Sequence, residues 1–176
     1  MLKSNFILNP IRSIEYDEDV NLGMLKRSLR TVITMLGLWA GFPNIDYSYI
    51  HGKKSRLHLG ADCSTMNSIF NVISGHIYLG DHTIVGHNCM FLTGTHNFID
   101  GKRISLSKPD KSPEVPKNGR DIVIGKGCFI GSGVTIVGPV NVGDNVLIAA
   151  GSVVTKDIGN NSFAAGVPAK VIENHT

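Results

Sequence analysis

From residue 124 onward an aliphatic side chain returns at every sixth position: Ile124, Ile130, Ile136, Val142, Ile148 and Val154. The same spacing runs upstream through Ile73, Leu79, Val85 and Phe91. The residue after the aliphatic is often tiny, as at Gly80, Gly86, Gly125, Gly131, Gly143 and Ala149. The fifth slot of each hexapeptide is small or β-branched: Thr83, Cys89, Cys128, Val134, Val140, Val146 and Ser152, fading at Ile158. A period of six fits neither a helix of 3.6 residues per turn nor simple strand alternation. It fits a prism in which each hexapeptide is one short strand and a turn, with three hexapeptides to a coil. The aliphatic points inward, the fifth slot fills the same interior, and glycine or a small polar residue turns each corner. One coil cannot bury its own apolar faces, so stacking supplies the core. The expected fold class is therefore an all-β solenoid.

Two stretches leave this lattice. Residues 1–50 form an N-terminal helical segment, because Leu22, Leu25, Leu29, Val32, Ile33 and Leu36 recur at helical spacing with Lys26, Arg27 and Arg30 elsewhere on the wheel. The spacing predicts a helix from Asp19 to Ala40, ended by Gly41 and Pro43. Its uncharged run from Thr31 to Ile45 is 15 residues, short of the roughly 20 that span a bilayer, and no early signal sequence precedes it. The expectation is a soluble, cytoplasmic protein whose helix packs on the prism or on a neighbouring subunit. Peripheral contact with a membrane surface is the alternative. The second departure is residues 97–121, since Phe91 and Ile124 lie 33 residues apart. A loop is extruded there, carrying Lys102, Arg103, Lys108, Lys111, Lys117 and Arg120 with Pro109, Pro113 and Pro116. Loops of this length in compact domains are solvated or functional. Residues 51–172 are the solenoid domain and 173–176 a tail.

A chain of 176 residues makes one core of ordinary size. Hydrophobic residues at 42% against 18% charged exclude wholesale disorder. A net charge of +3 is too slight for a duplex nucleic-acid binder, so no nucleic-acid partner is expected. The three cysteines, Cys63, Cys89 and Cys128, form no CxxC pair and no even set, against a disulfide framework or zinc knuckle. If Leu59 opens an earlier repeat, all three share the fifth slot and read as small buried fillers.

Three stretches are more specific than the repeat: TGTHNF at Thr93 to Phe98, AAGSVVTKDI at Ala149 to Ile158, and AAGVPAKVI at Ala164 to Ile172. With them the chain resembles, over residues 57 to 172, the hexapeptide-repeat acyltransferases. The resembling branch holds maltose, galactoside and nodulation-factor O-acetyltransferases, colanic-acid-type polysaccharide acetyltransferases and xenobiotic acetyltransferases. The resemblance implies a left-handed parallel β-helix, a hand opposite to the usual parallel crossover. It also implies an acetyl-CoA donor, no metal, and a homotrimer with active sites between prisms, walled in part by the loop at 97–121.

Acyl transfer from a thioester to a hydroxyl needs a base, donors for the oxyanion and a slot holding both substrates in line. Histidine suits the first task, since it exchanges a proton near neutrality. Of seven histidines (His51, His58, His76, His82, His87, His96 and His175), only His96 sits where the repeat stops and the loop begins. It also coincides with the catalytic histidine of the resembling family. By the same resemblance Ser132 holds the oxyanion, Asn71 contacts the acceptor, and Phe129 stands where a tryptophan often lies beside the pantetheine. For coenzyme A, Ala149 and Ala150 leave backbone open to the pantetheine arm, and Thr155, Lys156 and Lys170 can bind phosphate oxygens. The expected reaction is transfer of acetyl from acetyl-CoA to a saccharide hydroxyl. Other readings keep the fold: an amine or antibiotic acceptor, an acyl-carrier-protein donor, a silent scaffold, or a γ-type carbonic anhydrase built on His82 and His87. The last needs three histidines on zinc, and those two occupy different slots.

Overall fold

The structure, a computed structural model, describes residues 12–14, 29, 32, 48–104 and 114–174. It is a left-handed parallel β-helix of about five coils. Face A stacks Arg12–Ile14, Tyr49–His51, Ile69–Asn71, Met90–Leu92, Thr135–Val137 and Val153–Val154. Face B stacks Leu57–Leu59, Ile77–Leu79, Ile122–Ile124 and Val140–Val142. Face C stacks Ser64–Thr65, Ile84–Val85, Phe129–Ile130, Leu147–Ile148 and Ser162–Gly166. Ala169–Asn174 then folds back antiparallel on Ser162–Gly166. The chain visits B, C and A in turn, so consecutive coils pair in parallel register, as Leu57, Ile77, Ile122 and Val140 do.

The six-residue pattern is read out as burial. Leu79, Val85, Phe91, Ile124, Ile130, Ile136, Val142, Ile148 and Val154 are all at most 2% exposed. Phe70 and Phe91 stack inside with ring centroids 4.9 Å apart. Ile73 is the exception: it is half-buried, and its neighbour Val72 takes the interior position. The reason lies in the A–B corner. Ile69 to Ile77 spans eight residues where Thr135 to Val140 spans five, so the lattice slips by the surplus. The 97–121 excursion leaves from this same corner, between Met90–Leu92 and Ile122–Ile124.

Each slot of the hexapeptide has its own physical task. The second slot must be tiny because coils touch there: a Cβ on Gly80 would lie 2.6 Å from the Gly125 carbonyl carbon. The fourth slot adopts left-handed backbone, at His82, Asn88, Gly127, Gly133, Asn145 and Gly151, which favours glycine and asparagine. The fifth slot does more than fill space. Cys63 Sγ donates to the Gly80 carbonyl, Cys89 Sγ to Gly131 and Cys128 Sγ to Gly143, each at 3.1 Å. Thr83 Oγ1 donates to the Gly125 carbonyl at 2.9 Å. The cysteines and the threonine thus satisfy carbonyls at the tight corners of the next coil. Corner carboxylates act in the opposite direction: Asp81 accepts from Ala61 N at 2.7 Å, Asp144 from Lys126 N at 2.9 Å and Asp121 from His76 N at 2.8 Å.

Of the helix expected over Asp19 to Ala40, Leu29 and Val32 are helical and exposed, and the rest lies outside the described residues. No helix among the described residues is long and apolar enough to cross a membrane.

Gly80→Ala should destabilise the prism by about 1–3 kcal/mol, since backbone on the next coil must move; urea unfolding measures it, and an unchanged midpoint would refute the close-approach argument. Burial pushes the Cys89 and Cys128 thiols above their ordinary value. The protonated thiol is the form the fold favours, so this stability is full below the unfolded thiol value of about 8.5 and is lost as pH rises through the raised folded value. A Cys89→Ala/Cys128→Ala variant should therefore lose less stability than the parent between neutral and strongly alkaline pH.

Candidate active site

The A–B corner gathers the first group of sequence-predicted residues. Asn71 ends its face A strand and pairs in register with Leu92 one coil on. Its carbonyl accepts from Thr93 N at 3.0 Å and from Thr93 Oγ1 at 2.8 Å, and Thr93 Oγ1 accepts from Ser74 N at 3.1 Å. Asn71 Oδ1 accepts from Ile73 N at 3.1 Å. Gly94 lies directly against the Asn71 amide, where a Cβ would stand 2.6 Å from Nδ2. Only glycine lets the chain leave the prism here, and His96 follows two residues later with its side chain exposed. Asn97 N then donates to Glu114 O at 2.9 Å, and Ile104 N to Asn97 O at 3.1 Å, tying both legs of the excursion together. The excursion carries a short antiparallel hairpin, Phe98–Ile99 with Lys102–Arg103. Thr155 and Lys156, both exposed, close the same corner beyond Val153–Val154.

The second group sits on the C–A corner. Ser132 follows the face C strand Phe129–Ile130, is exposed, and its Oγ accepts from His87 N at 3.2 Å. That bond uses a lone pair and leaves the hydroxyl proton available. Gly151 N donates to Ser132 O at 2.9 Å, which sets Ala149 and Ala150 on the coil directly beyond. Phe129 projects from face C, 48% exposed, between Ile84 and Leu147. Lys170 pairs with Ala165 on the final antiparallel strand and is exposed.

One chain does not bring the two groups together. Face A lies between them: Ser132 is six residues ahead of Gly138, which occupies the corner from which the His96 loop departs one coil earlier. Six residues of near-extended chain reach up to about 20 Å. Lys156 and Lys170 are divided in the same way. His82 and His87 lie on different corners as well, His82 facing Asp62 at 3.4 Å and His87 beside Ser132. His58 and His76 are engaged with each other, Nε2 to Nδ1 at 3.0 Å, and pack on Tyr78.

Sequence reading missed the residues that anchor the loop. Thr93 is fully buried and Arg120 is half-buried, its Nε donating to Thr93 O at 2.9 Å and its Nη2 to Gly138 O. Arg56 Nη1 donates to Ile73 O at 2.9 Å and Lys117 O at 2.8 Å, fastening the returning leg. The available signal was position: Arg120 stands two residues before the strand Ile122–Ile124, where the lattice resumes.

Comparison with known proteins agrees with this architecture. Residues 121–156 match the family described as bacterial transferase hexapeptide (six repeats). The chain is 33% identical over 134 residues to the galactoside O-acetyltransferase of Escherichia coli K12, an alignment covering 74% of this chain and 58% of that protein. A solved maltose O-acetyltransferase from Clostridium difficile 630 superposes with a TM-score of 0.62 at 32% identity, covering 72% of this chain and 64% of the other. A galactoside acetyltransferase in complex with coenzyme A gives a TM-score of 0.55 at 32% identity, covering 72% and 58%. In its repeat and its fold this chain is thus similar to hexapeptide-repeat acetyltransferases. Its alignment with the Escherichia coli protein spans under two thirds of that protein's length.

Thr93→Val should destabilise the protein by about 1–3 kcal/mol, because the buried Asn71 carbonyl and Ser74 N–H each lose a partner with almost no change of volume. Chemical denaturation measures it; a neutral result would mean the corner is not held by that hydroxyl.

Proposed function

We propose that the protein is an acetyl-CoA-dependent O-acetyltransferase acting on a saccharide hydroxyl. The observation that carries this reading is the placement of an exposed histidine, His96, where the chain leaves the prism between two anchored residues, Thr93 and Asn97. The similarity to galactoside and maltose O-acetyltransferases supports the reaction class, and the similarity to a coenzyme A complex supports the donor. Ala149 and Ala150 present little side chain at an exposed corner, which suits a pantetheine arm, and Thr155, Lys156 and Lys170 offer exposed donors for its phosphates. Phe129 gives the arm an apolar neighbour.

In this reading His96 takes the proton of the acceptor hydroxyl, which Asn71 helps orient. The oxygen attacks the thioester carbonyl carbon, and Ser132 donates to the resulting oxyanion. Collapse breaks the carbon–sulfur bond, and His96 returns the proton to the departing thiolate. Because His96 and Ser132 lie on opposite edges of face A, a complete site needs two chains, the A–B corner of one facing the C–A corner of the next. A homotrimer with its face A surfaces inward meets that requirement three times over. The exposed ladder of Tyr49, Ile69 and Met90 on this face is apolar enough to pack there. The reading assigns residues 51–172 to the catalytic domain, the excursion to a wall of the neighbour's site, and the N-terminal segment to packing.

Calorimetric titration with acetyl-CoA should give about one site per chain. His96→Ala should keep that binding and its trimeric sedimentation while lowering thiol release with maltose or methyl galactoside by about a hundred- to ten-thousandfold. Near-full turnover in a trimeric His96→Ala protein would remove the base assignment, and absence of acetyl-CoA binding would remove the donor.

A further inference from the structure

We infer that Arg120 is a positioning residue for His96, an inference that rests on His96 being the base. Arg120 belongs to the basic loop that composition alone reads as solvated, yet its guanidinium is spent on the protein. Nε donates to the Thr93 carbonyl at 2.9 Å and Nη2 to the Gly138 carbonyl. One carbonyl lies where the excursion leaves its coil, the other on the following coil. The planar fork therefore locks the departure point to the scaffold beyond it, which a lysine, as a single point charge, can do at only one end.

The backbone of Arg120 is equally fixed. A Cβ on Gly75 would lie 2.6 Å from its carbonyl carbon, so the coils close on it without slack. Asp121, the next residue, accepts from His76 N at 2.8 Å. Thr93 is consequently held from both sides, by Asn71 below and Arg120 above. Only Gly94 and Thr95 separate it from His96, and Asn97 is held immediately after by Glu114. Among the described residues the ring of His96 has no hydrogen-bond partner. Its placement depends on its two flanks, and Arg120 controls the nearer end of one of them. Misplacing a catalytic group by about 1 Å can lower turnover on the order of a hundredfold.

The test compares full-length wild type, Arg120→Ala, Arg120→Lys, His96→Ala and the Arg120→Ala/His96→Ala double variant, with maltose and methyl galactoside as acceptors. Arg120→Ala should lower kcat by about ten- to a hundredfold with KM for acetyl-CoA within about twofold, and Arg120→Lys should fall between it and wild type. The double variant should be no slower than His96→Ala, because Arg120 has nothing to position once the ring is gone. In histidine-labelled NMR spectra the His96 ring signal, identified by its loss in His96→Ala, should move or broaden in both Arg120 variants. An additional loss in the double variant, a rise in KM for acetyl-CoA, or an unmoved His96 signal would overturn the inference. A fully active His96→Ala would defeat the base assignment instead, while the ring signal would still report whether Arg120 places that side chain.

Discussion

Close approach of successive coils at their corners is the constraint on which the rest of this structure depends. Strands of two or three residues bury little alone, so the prism exists only because each coil hydrogen-bonds along its length to the next. That ladder requires the backbones to meet where the chain turns, and a Cβ at Gly80 or Gly131 would fall within 2.6 Å of the neighbouring coil's backbone. Tight corners in turn produce carbonyls facing inward with no strand partner. The fifth-slot thiols and the Thr83 hydroxyl supply their donors. The cysteines here supply a compact, weak donation that a valine of similar size cannot provide.

A scaffold with such strict corners concentrates its irregularities. The eight-residue corner between Ile69 and Ile77, the excursion after Met90–Leu92 and the reshaped turn at Gly138 all leave by the A–B edge. Insertion there leaves the B-to-C step at seven residues in every coil and the C-to-A step at six in all but the first coil, where Ser64 to Ile69 spans five. The candidate base sits on this edge for the same reason. A histidine elsewhere in the lattice falls on an exposed corner or on a strand face, as His82, His87 and His58 do.

The solenoid was legible in the sequence because period six maps one slot to one environment, and burial followed it at nine of ten aliphatic positions named there. Ile73 failed since the coil containing it is longer than the repeat that indexed it. His96 was legible as the point where periodicity breaks. Arg120 was not, because its two-residue offset from the resumed lattice says nothing of the two carbonyls it joins, one of them 27 residues away. The grouping of Lys156 with Lys170 was also not legible: both follow family-like stretches, yet face A stands between them.

Sequence by itself determined the interior, the corner chemistry and the place where the prism is interrupted, since each is a local consequence of which side chain occupies which slot. Only the tertiary structure decided which corner the interruption leaves by, which carbonyls the two arginines bind, and that His96 and Ser132 stand on opposite edges of one face. Those relations depend on how coils of unequal length stack, and stacking joins residues that no fixed spacing along the chain connects.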